Sequence, residues 1–319
     1  VKRANLCLLQ RLTEAPKSVR KRQAGAWSVV TVISMSGLMT TLVRAQGLAY
    51  WALFNAFSGI SGSNTMDLQL SGKTALVTGA SVGLGRCMAQ MLAREGCELA
   101  IVARREELLN GLAQDIQADG GVKPLVIVCD ITHPDAPMQI REQVMQRWGG
   151  LDILVNNAGI QHVALVEDFP VDKWDAIIAI NLSSAFHTTR LAMPTMRQRN
   201  WGRVLNIAST HGLVASPQKS AYVAAKHGLV GFTKSVALET ATTGITVNAI
   251  CPGWVLTPLV QKQIDARADK EGISVEKAKT DLLAEKQPSL QFTTPEELGG
   301  LAVFLCSPQA NNVRGAAWN

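Results

Sequence analysis

The sequence predicts an α/β fold: one domain built on a doubly wound parallel sheet with helices on both faces. From residue 73 onward, short apolar runs alternate with longer helical patterns, which is the order of repeated βαβ units. The runs are apolar throughout, as expected of strands that helices cover on both sides. Hydrophobic residues make up 47% of the 319 residues, which is enough for a large core.

Each predicted strand is a short apolar run bounded by polar or glycine-containing segments. In chain order the predicted strands are Thr74–Thr78, Glu98–Ala103, Leu125–Cys129, Leu151–Val155, Arg203–Ile207 and Ile245–Ile250. A helix is predicted over Arg86–Glu95. Residues 254–290 have few tight-turn signals and are expected to form a helical lid.

A glycine-rich turn, Thr78-Gly-Ala-Ser-Val-Gly-Leu-Gly85, follows the first predicted strand and precedes the first predicted helix. Gly79 would allow a tight turn, Gly83 would let the backbone approach a pyrophosphate, and Gly85 would let the helix pack on the sheet. A glycine-rich turn without a ligand is the alternative. The strand–turn–helix setting favours a dinucleotide site.

The end of the second predicted strand bears on the choice of cofactor. Ala103 stands where a carboxylate would bind a ribose 2′-hydroxyl and repel a 2′-phosphate, and Arg104 and Arg105 follow it. Arginine offers a fork of donors to phosphate, so this local chemistry favours NADP(H). The alternative is that both arginines belong to a solvated helix start and that NAD is bound.

The chemistry-bearing residues are Tyr222 and Lys226, four positions apart in Ser220-Ala-Tyr-Val-Ala-Ala-Lys226. Positions i and i+4 share a helix face, so the ammonium of Lys226 is expected beside the phenol of Tyr222. A nearby cation would lower the pKa of the phenol and suit it to general acid/base chemistry. Ser209, at the end of an apolar strand, is well placed to hold a substrate oxygen.

Together these motifs resemble the short-chain dehydrogenase/reductase family, from about residue 67 to the last residue. The resemblance includes Asn156-Asn-Ala-Gly159, Asn181 and Pro252-Gly253. It implies a Rossmann-like fold and a catalytic tetrad of Asn181, Ser209, Tyr222 and Lys226. Tyr222 would be the general acid/base, Lys226 would also hold the nicotinamide ribose, and Asn181 would position a water of the proton relay. The cofactor residues that the resemblance implies are Gly79, Ser81, Gly83, Leu84, Gly85, Arg104, Asp130, Ile131, Asn157, Ala158, Gly159, Tyr222, Lys226 and Pro252.

The substrate side, from Leu151 to Pro295, resembles the bacterial D-3-hydroxybutyrate dehydrogenase branch of this family. Its matching segments include Ile207–Ser216 and Glu285–Phe292. The resemblance implies hydride transfer between a D-3-hydroxy acid and a nicotinamide, favours NAD, and implies a homo-tetramer when the C-terminus is complete. The residues that would line the acid pocket are Gln161, His211, Lys219, Trp254 and Gln263. Lys219 is expected on or near the helical face of Tyr222.

Two alternatives stay open. The chain could be a short-chain reductase of another carbonyl, such as a 3-oxoacyl thioester, or a membrane-tethered, non-catalytic nucleotide-binding protein anchored by residues 27–60. The family's last strand is expected to begin at Gly315, and its Asp-Gly-Gly-Trp continuation is absent, so an incomplete fragment is one interpretation.

Charge divides the chain at residue 65. Residues 1–65 hold eight Lys or Arg against one Glu, and the rest of the chain holds 23 basic and 24 acidic residues. The basic leader could be a signal peptide or membrane anchor, and we favour the view that it is untranslated and that the domain spans 66–319. Because the domain is close to neutral, nucleic-acid binding is not expected.

The six scattered cysteines predict a reducing, cytoplasmic setting with Cys129 in the core, and no residues have metal-ligand spacing.

Overall fold

The sheet of the computed structural model, which describes residues 67–319, contains seven parallel strands in the order β3-β2-β1-β4-β5-β6-β7. The predicted leader, including the proposed anchor at residues 27–60, lies outside the described residues. In chain order the strands are β1 (Thr74–Thr78), β2 (Glu98–Ala103), β3 (Leu125–Val128), β4 (Ile153–Asn156), β5 (Gly202–Ile207), β6 (Ile245–Ile250) and β7 (Ala317–Trp318).

Nine α-helices occur in the described part of the chain. They are α1 (Gly83–Arg94), α2 (Glu106–Ala118), α3 (Ala136–Trp148), α4 (Val171–Ile178), α5 (Ser184–Arg199), α6 (Ser220–Glu239), α7 (Pro258–Glu271), α8 (Val275–Lys286) and α9 (Pro295–Cys306). A π-helical turn, Ala179–Ser183, joins α4 to α5. Helices α7 and α8 occupy the segment that the sequence predicts to be helical.

The sheet is doubly wound, as predicted, because alternate residues of its strands face different helix layers. Ala75 and Val77 pack in one core with α1, α2 and α9, while Leu76 packs in the other with α3, α5 and α6. Every residue of β1, β4, β5 and β6 is buried. The predominantly apolar composition of these strands follows from burial on both faces, although β4, β5 and β6 also bury polar residues such as Asn156, Asn206 and Asn248.

The element boundaries differ slightly from the predicted ones. Strand β3 ends one residue early, β4 begins at Ile153 rather than Leu151, and β5 begins one residue early at Gly202. Helix α1 begins at Gly83 instead of Arg86, because the glycine-rich turn itself closes into the first helical turn. Such shifts are the normal uncertainty at the ends of elements.

The order of the strands reverses between β1 and β4, whose residues pair in parallel from Ala75 with Ile153 to Val77 with Val155. A crevice forms at such a switch point, outside the carboxyl ends of the strands, and is the usual ligand site of a doubly wound sheet. The edge strand β7 pairs with Ala249 and Ile250 of β6.

Candidate active site

The glycine-rich turn closes tightly because its glycines adopt conformations and contacts that other residues would resist. Gly79 and Gly83 have φ values of +65° and +59°, in the left-handed region that favours glycine. A Cβ on Gly85 would lie 2.3 Å from Nδ2 of Asn157 and 2.5 Å from the carbonyl oxygen of Gly79. Gly85 therefore allows α1 to pack against the turn.

Asn157 ties this turn to the end of β4. Its Nδ2 donates to the carbonyl oxygens of Thr78, at 3.0 Å, and Gly79, at 3.2 Å. In return, the Thr78 hydroxyl accepts from the backbone N–H of Asn157 and of Ala158. The two strands that flank the switch point are thus fastened together at its rim.

A cavity of about 390 Å³ opens above this rim. Except for Gly85, all residues that the sequence predicts for cofactor binding line it. Cys129, predicted to lie in the core, follows β3, is only partly buried and also lines this cavity. It packs against the edge of a core cluster rather than inside it, because β3 already ends at Val128.

Charged and polar side chains gather at the end of the cavity near β2 and β3. Arg105 donates from Nη2 to the Ser81 hydroxyl at 3.2 Å, and Nη1 of Arg104 lies 3.8 Å from Oδ2 of Asp130. Asp130 accepts hydrogen bonds from the backbone N–H and hydroxyl of Thr132, which, with smaller contributions from Arg104 and His133, lower the pKa of its carboxyl. The arginines are placed where the sequence predicts them.

At the other end of the cavity, Ser209, Tyr222 and Lys226 come together. Lys226 is buried, its Nζ donates to the carbonyl oxygen of Ile207 at 2.6 Å and lies 5.7 Å from the Tyr222 ring centroid. The Ser209 hydroxyl hydrogen-bonds with Tyr222 and accepts from the backbone N–H of His211 at 3.1 Å. The i, i+4 spacing on α6 and the end of β5 thus converge as predicted.

Asn181 reaches the same place from the π-helical turn. Its Oδ1 accepts from the Ile160 N–H at 2.8 Å, and its Nδ2 donates to the Ile160 carbonyl at 2.9 Å. A Cβ built on Gly159 would lie 3.6 Å from Oδ1 of Asn181 and 3.8 Å from Nζ of Lys226. Ser209, Tyr222 and Lys226 therefore line one corner of the cavity, and the buried Asn181 lies directly behind Gly159 and Ile160, which line it too.

Lys226 does not lower the pKa of the Tyr222 phenol in this structure, contrary to the expectation from the sequence. Burial raises the pKa of Tyr222, and the hydrogen bond with Ser209 only partly offsets that effect. Burial also lowers the pKa of Lys226 to about 8. The expectation of a lowered Tyr222 pKa is wrong here because desolvation penalises both charged forms and the ammonium donates to Ile207 instead.

A second cavity, of about 720 Å³, adjoins the first. Ser209 and Tyr222 line both cavities. All residues predicted for the acid pocket line the second one: Gln161, His211, Lys219, Trp254 and Gln263. The structure thus brings together residues from the segments that follow β4 and β5, from the start of α6 and from the lid segment, around the phenol.

Lys219 lines this cavity near Tyr222, as predicted, from a position just before α6. It precedes α6 as the N-cap residue, and Gln218 before it has φ of +63°. Lys219 therefore stands at the end of the helix rather than within it, and it lines the same cavity as Tyr222. Its side chain is 9% exposed and its Nζ lies 5.5 Å from the Trp254 ring centroid.

The short-chain dehydrogenase family profile matches residues 73–268. A D-beta-hydroxybutyrate dehydrogenase of Cupriavidus necator is 61% identical over 250 residues, covering 78% of this chain and 96% of the relative. The enzyme of that name from Rhizobium meliloti is 46% identical over 244 residues, covering 76% and 95%. The chain belongs to the short-chain dehydrogenases.

Among solved structures, an actinorhodin polyketide ketoreductase with NADPH has a TM-score of 0.74 and 35% identity, covering 78% of this chain and 95% of that chain. As a short-chain dehydrogenase, the protein is an oxidoreductase that uses a nicotinamide dinucleotide. The cavity fits such a group. Val82, the N-cap residue of α1, makes no side-chain cap hydrogen bond, and the first turn has no acidic residue, so this helix N-terminus suits a phosphate.

Sequence reasoning missed Gln287, Asn319 and the apolar residues Leu213 and Val214, all of which line the larger cavity. Gln287 lies within a segment that resembles the hydroxybutyrate enzymes, and that was the only signal for it.

Within residues 67–319 no helix combines the length and apolarity needed to cross a bilayer.

Proposed function

We propose that this short-chain dehydrogenase interconverts D-3-hydroxybutyrate and acetoacetate. One observation carries the proposal: a buried lysine, Lys219, faces a cavity that opens on Ser209 and Tyr222. A small hydroxy acid needs a cation and hydrogen-bond donors for its carboxylate. Lys219, His211 and two glutamines supply these groups, and the two relatives named above carry the same activity in their names.

Tyr222 and Ser209 act on the oxygen at C3. In oxidation, the phenolate of Tyr222 removes the hydroxyl proton while the Ser209 hydroxyl holds the oxygen that becomes the carbonyl. In reduction, the neutral phenol returns the proton to that oxygen. Lys226 supplies positive charge beside the phenol and a donor for the nicotinamide ribose, and Asn181 positions a water of the proton relay.

A nicotinamide dinucleotide held by the residues that line the smaller cavity would supply the hydride acceptor in oxidation and the hydride donor in reduction. Gly79, Gly83 and the first turn of α1 would hold its pyrophosphate, and Asp130 its adenine. Helices α7 and α8 are the proposed lid, which would exclude water from the cavity while hydride moves.

Two observations point to different dinucleotides. Arg104 and Arg105 at the end of β2 favour a 2′-phosphate, and thus NADP(H), because both are fork-shaped donors on the cavity wall. The resemblance to hydroxybutyrate dehydrogenases favours NAD. We propose that Arg104 and Arg105 determine whether the protein prefers NAD or NADP(H).

A 3-oxoacyl thioester is the second candidate substrate, favoured by the likeness to a polyketide ketoreductase. A thioester has no free carboxylate, so it would make no use of the ammonium of Lys219. The two candidates therefore differ in how strongly they depend on that residue.

The discriminating experiment is Lys219→Ala, with exposed Lys123→Ala as the matched control. For a hydroxy acid, Lys219→Ala is expected to lower kcat/KM by about ten- to a hundredfold, since a charge-assisted contact is lost. Lys123→Ala should leave it unchanged. An unaltered kcat/KM for D-3-hydroxybutyrate in Lys219→Ala, together with turnover of a 3-oxoacyl thioester, would favour the second candidate.

We also propose a cytoplasmic location and a homo-tetramer. Five described cysteines are free thiols, which suits a reducing compartment. Light scattering of the purified protein tests the assembly, and a single-chain mass would rule out the tetramer.

A further inference from the structure

The proposed lid, which comprises helices α7 and α8, leaves the rest of the domain and returns to it at neighbouring points, so that its two ends lie side by side. Val255, before α7, forms a parallel β-bridge with Thr293, after α8. The Thr293 N–H donates to the carbonyl of Trp254 at 3.0 Å. Entry and exit of the lid segment thus meet in a narrow neck beside the larger cavity.

The side chain of Gln287 fastens this neck. Its Oε1 accepts from the backbone N–H of Trp254 at 3.1 Å, and its Nε2 donates to the carbonyl of Gln291 at 2.7 Å. A Cβ on Gly253 would lie only 2.9 Å from the Gln287 oxygen. Both backbone polar groups of Trp254 are therefore held by the segment that leaves α8.

Within the lid, the two helices are tied to each other. Val260, Ile264, Ala268 and Ala278 form a small buried cluster between α7 and α8. Arg267 of α7 makes an ion pair of 2.8 Å with Glu285 of α8. Because α7 and α8 are packed against each other, they would move as one unit. A movement of the lid would therefore be concentrated at the neck.

We propose that Gln287 is a positioning residue: its side-chain amide sets the backbone of Trp254, and with it the pocket wall that faces Lys219. The Trp254 ring lies 5.5 Å from the ammonium of Lys219. Gln287 acts through Trp254, and a displacement of the lid must either break this amide contact or carry Trp254 with it. This role in substrate binding rests on the proposed function.

The test uses Gln287→Met, which keeps the side-chain length and removes both hydrogen bonds. The matched control is Gln309→Met, because Gln309 also donates from its amide to a backbone carbonyl, that of Asp67, at 2.9 Å but away from both cavities. The first readout is hydrogen exchange of the peptide that contains Trp254, in the full chain without substrate. Gln287→Met should speed exchange of the Trp254 amide about tenfold or more, and Gln309→Met should not.

The second readout is steady-state kinetics. Gln287→Met should raise the KM for D-3-hydroxybutyrate about tenfold, with the KM for the dinucleotide unchanged within about twofold. Unchanged exchange at Trp254 would overturn the inference. A substrate KM within twofold of wild type, or an equal rise in the dinucleotide KM, would overturn it too. If the wild-type protein does not turn over D-3-hydroxybutyrate, the proposed function fails, while the exchange result still decides whether Gln287 sets Trp254.

Discussion

Lys226 carries its charge at a position that is costly for a cation. It is 3% exposed, and burial lowers its pKa from 10.5 to about 8. At neutral pH the ammonium is charged, so the folded, cofactor-free protein bears the cost of desolvating it. The buried charge of Lys226 therefore lowers the free energy of unfolding, while it places a cation beside the phenol of Tyr222.

Lys226→Met should therefore stabilise the cofactor-free protein at pH 7 while abolishing activity. Removing the buried charge gains about 3 kcal/mol, and losing the bond to the Ile207 carbonyl costs about 1 kcal/mol, for a net gain on the order of 2 kcal/mol. The folded-state pKa lies below the unfolded value, so wild-type stability rises with pH between about 8 and 10.5. The difference in unfolding free energy between Lys226→Met and the wild type should therefore become smaller as the pH rises through this range. Denaturant unfolding at pH 7 and pH 9.5 measures it, and a variant less stable than wild type at pH 7 contradicts the account.

The phenol of Tyr222 predicts the direction of the pH dependence. Burial raises its pKa, so it is protonated at pH 7, ready to donate in reduction. Oxidation needs the phenolate, so kcat/KM for oxidation should rise with pH, and that for reduction should fall at high pH. Tyr222→Phe should lower kcat about 10²- to 10⁴-fold in both directions. Wild-type-like turnover in Tyr222→Phe would disprove the proton-transfer role.

The two arginines after β2 predict dinucleotide preference. Arg104→Ala and Arg105→Ala should each lower kcat/KM with NADP about tenfold more than with NAD, because a 2′-phosphate loses a donor. Arg141→Ala on α3 is the control, since its exposed side chain lies away from the cavity. An unchanged ratio of the two dinucleotides in both variants would remove the arginines from this choice.

At the scale of elements, a buried chain of amides and hydroxyls fixes α6, which carries Tyr222 and Lys226, to the sheet. Asn156 of β4 donates to Asn206 of β5 at 2.8 Å, and Asn206 donates to the hydroxyl of Thr233 on α6 at 2.8 Å. Thr233→Val should cost about 1–3 kcal/mol of unfolding free energy, because it leaves a buried donor unpaired. Exposed Thr280→Val on α8, which loses only a bond to the Glu276 carbonyl, should change it by less than about 0.5 kcal/mol. Equal costs in chemical denaturation would contradict this.

How far sequence predicts an element depends on what determines that element. Strands β1, β2 and β6 could be predicted to the residue, because burial on both faces makes most of each run apolar. Lys219 could be predicted for the acid pocket, but its backbone position before α6, next to the left-handed backbone of Gln218, could not, because residue type does not reveal that conformation. The raised pKa of Tyr222 likewise depends on burial created by distant elements.

At the scale of the whole molecule, both cavities lie at the carboxyl ends of the strands beside the point where the strand order reverses. Motif spacing predicts the cofactor cavity well, since its residues follow consecutive strands of a known topology. The contact between Gln287 and Trp254 spans 33 residues and depends on how the lid helices pack, so no local pattern predicts it.

The proposed activity depends on recognition of a carboxylate across these two cavities. The most direct test is kcat/KM of the wild-type protein for D-3-hydroxybutyrate and for 2-butanol, in which a methyl group replaces the carboxylate, with saturating NAD or NADP. We predict a preference for the acid of about a hundredfold or more, equivalent to roughly 3 kcal/mol of transition-state binding. Equal values for the two substrates would contradict the assignment of the larger cavity as a hydroxy-acid site.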